Sequence, residues 1–103
     1  MNLIDVYKSL QKVLLEVNSL AQLRVELYLK KSELECLQSF ESIDVYQDVV
    51  VLYDLLCLWQ TLYLELTDEG KNIFLDYIER YKISLLSKLE VILCQEQNQY
   101  HQK

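Results

Sequence analysis

Apolar residues recur along this chain in steps of three and four, interrupted by two polar stretches, and this pattern predicts three long helices. The first segment runs from about Leu3 to Leu37. Its early seam is Leu3, Tyr7, Leu10, Leu14, Val17 and Ala21, spaced as one face of a helix requires. Val6, Val13, Leu20, Leu27 and Leu34 also recur every seven residues, so the stripe is broad and drifts round the axis. Lys8, Lys12, Gln22, Glu26 and Lys30 form the opposite face, with Glu26→Lys30 in the favourable acid-first order. At 1.5 Å per residue an unbroken helix here would reach about 50 Å, longer than its neighbours. Two outcomes are open: the helix breaks near Asn18-Ser19, or its overhang packs on another molecule.

The polar break Gln38-Ser39-Phe40-Glu41-Ser42 separates the first segment from the second. Ser42 competes for the N-cap with Asp44, which has Gln47 three residues on in a loose capping box. The second helix is predicted from about Asp44 to Leu66. Its centre, from Val49 to Trp59, is apolar on nearly every side. A narrow polar stripe of Asp44, Asp48, Asp54, Thr61 and Glu65 runs along it, with Val51 and Leu58 intruding. Valine runs also favour strands, but the pattern continues past ordinary strand length. A membrane span has about the right length of ~20 residues. Asp48 and Asp54 argue against it, since a mid-bilayer Asp costs roughly 2.5–3.5 kcal/mol.

The stretch Thr67-Asp68-Glu69-Gly70-Lys71-Asn72 makes the second break. Thr67 is suited to cap the third helix, and Asp68 and Glu69 complement the positive end of its dipole. Ile73, Phe74, Tyr77, Tyr81, Leu85, Leu89 and Ile92 form its apolar face; Asp76, Glu79, Arg80, Lys82, Lys88 and Glu90 form the polar one. Residues 95–103 are a polar tail without apolar period, expected to fray. Short connections make sequential helices antiparallel neighbours. The expected fold is an all-α antiparallel three-helix bundle, one domain over residues 1–94, or a four-helix bundle if the first helix breaks.

Composition narrows the picture. The chain has 103 residues with no proline and one glycine, and 51% of it is hydrophobic. Ala21 is its single alanine, so helix stability must come from packing large side chains rather than from intrinsic propensity. The formal net charge of −6 disfavours binding to nucleic-acid backbones, and the basic residues form no patch. Cys36, Cys57 and Cys94 have no CxxC spacing and lie in apolar contexts, as free thiols of a reducing compartment do. The start Met1-Asn2-Leu3-Ile4-Asp5 has no signal-peptide character. A cytoplasmic protein without a transmembrane segment is expected.

Catalytic chemistry finds few residues to work with. The single histidine, His101, lies in the tail, which leaves no Ser-His-Asp, Cys-His or Glu-x-x-His arrangement. Gly70 stands alone, so there is no glycine-rich phosphate loop. Asp44, Asp48 and Asp54 could form a carboxylate row, but hard cations need several converging oxygens, and a solvated stripe is the better reading. The same holds for Glu33, Glu35 and Glu41. No catalytic residue, metal or cofactor is assigned. Arg24 interrupts the leucine stripe, either pairing with Asp48 or Asp54 or extending along the edge of the core, which is the commoner arrangement.

Eight tyrosines and Trp59 remain. Tyrosine suits core margins and interfaces, because its ring is buried while its hydroxyl needs a polar partner. Tyr46, Tyr53, Trp59 and Tyr63 form the candidate interaction surface on the second helix. The expectation is a non-catalytic protein–protein interaction protein: an adaptor, assembly factor or regulator, working as a homodimer or on a larger partner. One rival is a bundle of the bacteriocin-immunity type at a membrane face, which the acidic balance does not favour. The other is an acidic phage-type inhibitor of a nucleic-acid-binding protein.

Overall fold

The computed structural model describes residues 2–37 and 40–101. Four helices follow in order: α1 (Leu3–Glu16), α2 (Leu20–Leu37), α3 (Ile43–Leu62) and α4 (Asp68–His101). The segment expected as one helix or two is two. Val17 is extended at φ −84° and ψ 116°, which turns the chain without any glycine. Ser19 then caps α2, its Oγ accepting from Gln22 N at 3.3 Å. Asn2 does the same for α1, accepting from Asp5 N at 2.9 Å. Each cap satisfies a backbone donor that the first turn of a helix leaves free.

α3 starts one residue before Asp44, with Ser42, the other expected candidate, at the N-cap position and Asp44 in the first turn. Its regular winding ends at Leu62, and Tyr63–Glu65 tighten into a 3-10 turn where a continuous helix to Leu66 was expected. Thr67 caps α4 as predicted, with Oγ1 accepting from Gly70 N at 3.0 Å. The α4 backbone is helical through the expected tail to His101. Gln38 and Ser39, the start of the first polar break, lie outside the described residues.

The helices alternate in direction round a square. α1 packs on α2 and α4, and α3 packs on α2 and α4. Tyr28 and Tyr53 rings meet 5.8 Å apart, and Tyr46 reaches Glu35, so α2 and α3 run antiparallel. Trp59 meets Phe74, and Asp48 meets Lys88, so α3 and α4 do too. The body measures 55 × 24 × 21 Å, and α4, at about 51 Å for its 34 residues, runs along the long axis. Among the described residues no helix is long and apolar enough to cross a membrane.

Each helix gives one line of side chains to a common core. α1 supplies Val6, Tyr7, Leu10 and Leu14, and α2 supplies Leu23, Leu27 and Leu34. α3 supplies Val45, Val49, Leu52 and Leu56, and α4 supplies Ile78, Leu85 and Leu89. The break resets the helical phase, which is why Ala21, expected on the seam, is exposed. Lys30, expected on the polar face beside Glu26, instead falls on the core line of α2. It is 8% exposed, and its Nζ turns to Glu33 at 3.1 Å.

Candidate functional site

α4 carries two apolar rows where the sequence reading merged them into one. Phe74, Ile78, Leu85, Leu89 and Ile92 face the core. Ile73, Tyr77 and Tyr81, four residues apart in turn, lie on the flank toward α3 and are exposed. The Lys88–Asp48 ion pair fixes this orientation, since Lys88 shares that flank of α4 and Asp48 the facing flank of α3. Val51, Leu55, Leu58 and Leu62 form the matching row of α3, with Val51 and Leu58 exposed. Antiparallel register sets Leu58 near the level of Tyr77. The two rows make one apolar face along the α3/α4 seam, built from the residues that intruded on the polar stripe of α3.

That face continues beyond the ion pair into a depression of ≈ 370 Å³, lined by Glu41, Asp44, Val45, Ser87, Lys88, Val91 and Ile92. Val91 is exposed there. Lys88 has its ammonium held above the ordinary lysine range, chiefly by its hydrogen bond with Asp48. The three aspartates of the predicted stripe therefore diverge. Asp48 turns inward to Lys88, while Asp44 and Asp54 are exposed. Among the described residues no group of three or more His, Cys, Asp or Glu is arranged to hold a metal ion.

The four aromatic residues singled out from the sequence divide between two places. Tyr46 and Tyr53 lie on the flank of α3 that meets α2. The Tyr46 hydroxyl donates to Glu35 Oε1 at 2.7 Å, and Lys31 holds the same carboxylate at 3.0 Å. Glu35 is consequently held below the usual glutamate range, first by Tyr46 and then by Lys31. Trp59 and Tyr63 lie at the other end of α3, edge to face at 5.2 Å, with Phe74 on Trp59 and the Lys71 ammonium 4.2 Å from the Tyr63 ring. These rings are partly used in holding helices together, and they do not form one patch.

A second concavity, of ≈ 180 Å³, opens where the start of α2 crosses the end of α3. Leu20, Ala21, Arg24, Leu56, Trp59, Gln60 and Tyr63 line it. Arg24 pairs with neither Asp48 nor Asp54, and none of the ion pairs among the described residues includes it. Its guanidinium hydrogen-bonds the Tyr53 phenol, which favours the phenolate. The hydrogen bond with Cys57, followed by burial, outweighs this and holds the Tyr53 phenol above its ordinary range. Arg24 Nε is buried without a hydrogen-bond partner among the described residues.

Sequence reasoning missed the α3/α4 face because it set Tyr77 and Tyr81 on one apolar face with Leu85 and Leu89 and passed over Ile78. The signal was present in the adjacent pairs Ile73-Phe74 and Tyr77-Ile78, whose members lie about 100° apart on a helix and so compete for the inward direction. No family model, curated protein or solved structure matches this chain.

Proposed function

We propose that this protein is a non-catalytic interaction module that docks a second copy of itself or a larger protein on the α3/α4 face. The observation that supports this reading is the exposed row of Val51 and Leu58 set beside Ile73, Tyr77 and Tyr81. Two helices contribute to it, whereas the exposed apolar residues of α2, Val25, Tyr28 and Leu29, come from one helix. Apolar surface of this continuity rimmed by charge, here Asp54, Asp76 and Arg80, is characteristic of contact sites. Tyrosine is enriched in such sites, because it supplies large contact area and a polar tip. Apolar burial would dominate the association, which should therefore persist as salt is raised.

A photo-crosslinking amino acid placed at Leu58, and in a second variant at the exposed Glu79, tests this in the native host. A discrete adduct at position 58, absent at position 79, is the expected result, and its mass separates self-association from a different partner. No adduct at either position, or the same products at both, would reject the reading.

A further inference from the structure

Arg24 is a cation that meets the Tyr53 phenol but, among the described residues, no carboxylate. The chain carries 16 acidic residues against 10 basic ones, yet Arg24 is absent from every ion pair among the described residues. Its Nε is withdrawn from water and finds no acceptor among the described residues. A buried donor in that state favours any ligand that supplies the acceptor. Trp59 and Leu56 furnish apolar walls beside it, and Gln60 furnishes an amide. We propose that this groove binds a small carboxylic acid with a single aromatic ring or branched aliphatic body. The carboxylate sits on Arg24 and the body lies against Trp59 and Leu56.

Three features select this ligand class. A guanidinium presents parallel N–H donors that match the two oxygens of a carboxylate. The volume of ≈ 180 Å³ suits one ring, since a cavity of about 150 Å³ accommodates benzene. The net charge of −6 opposes polyanions, and a lone guanidinium gives them too little compensation; a monoanion is opposed least. The site is separate from the α3/α4 face, so its failure would leave the docking reading intact.

Trp59 is the chain's single tryptophan and lines the groove, so its emission reports occupancy directly. The probes are 4-methylbenzoate and its neutral amide, titrated at constant ionic strength. The acid is expected to change Trp59 emission saturably at millimolar concentration or below, with the amide about tenfold weaker or worse. Arg24→Gln should weaken the acid about tenfold and leave the amide unchanged. No saturable change with the acid, equal affinities for acid and amide, or full acid binding by a folded Arg24→Gln variant would each overturn the proposal. Should Arg24→Gln fail to fold, the acid–amide comparison on the unaltered protein still decides.

Discussion

Lys88 of α4 places its ammonium 2.8 Å from Oδ2 of Asp48 on α3, and this pair ties the two helices together at the edge of the core. The Asp48 side chain is 18% exposed, so its carboxylate depends on Lys88 more than a surface acid would. Lys88→Ala should destabilise the fold by about 1–2 kcal/mol, mostly through the stranded carboxylate. Asp48→Asn in the same chain should recover part of that loss. Urea midpoints of the single and double variants measure it, and a double variant weaker than the sum of the singles would remove the pairing account. Lys88 is held above 10.5, so its contribution is complete below that pH and disappears as pH rises through the higher folded value.

Two leucines of α3, six residues apart, should behave in opposite ways. Leu52 is fully buried between the other helices, and Leu58 is half exposed on the docking face. Leu52→Ala removes core volume and should cost about 2–5 kcal/mol. Leu58→Gln retains good helix propensity and should stay within about 0.5 kcal/mol of the parent in a denaturant melt. A cost at Leu58 equal to that at Leu52, measured at a concentration where the protein is monomeric, would contradict the exposure described for it.

Acid should act through Glu35. Tyr46 and Lys31 hold its carboxyl below the ordinary value of 4.5, so the stability it lends is complete above that value. It is lost as pH falls through the lower folded value. Tyr46→Phe removes the largest cause, and the acid limb of its stability curve should be shallower than that of the parent. Parallel acid limbs from urea midpoints at successive pH values would show that the contact contributes nothing.

Alkali should act through Tyr7. Burial, and next the charge of Glu41, hold this phenol above 10.0, and its hydroxyl donates to the Glu41 carbonyl at 3.3 Å. Its contribution is complete below that ordinary value and is lost as pH rises through the raised one. Tyr7→Phe should cost about 1 kcal/mol at neutral pH and less as alkali is added. A gap between the two proteins that widens with pH would reverse the assignment.

The break between α1 and α2 depends on Ser19. Ser19→Ala should destabilise the bundle by about 1 kcal/mol, and Ser19→Asp should retain most of the stability, since either side-chain oxygen can accept from Gln22 N. Thermal melts of the three proteins check the order. A Ser19→Ala variant as stable as the parent would show that the turn at Val17 needs no cap.

Residues whose helical spacing points one way were legible in the sequence. Spacing alone assigns Leu10, Leu14, Leu27, Leu34, Leu85 and Leu89 to buried faces, and Thr67 to its cap. The break near Asn18-Ser19 was visible as an alternative, because two small polar residues weaken a helix without forbidding it. Helix phase was legible only in part. Lys30 lies three residues after Leu27 and four before Leu34, the spacing of the buried face, but its charge pointed the other way. Tyr77 and Tyr81 lie outside the core because Ile78 takes the inward direction. Arg24's separation from Asp48 could not be read either, since Lys88 approaches that aspartate from a helix forty residues further along.

Short connections between α1 and α2 and between α3 and α4 also bear on how the chain reaches this state. Three of the extensive helix pairings join neighbours in sequence, so each can form with little loop-closure entropy. The remaining one, α1 on α4, brings together the two ends of the folded body. By this argument it closes last. The three sequential hairpins can assemble locally before the α1–α4 contact completes the bundle, and that contact should likewise be the first to part when the bundle is pulled from its N-terminus.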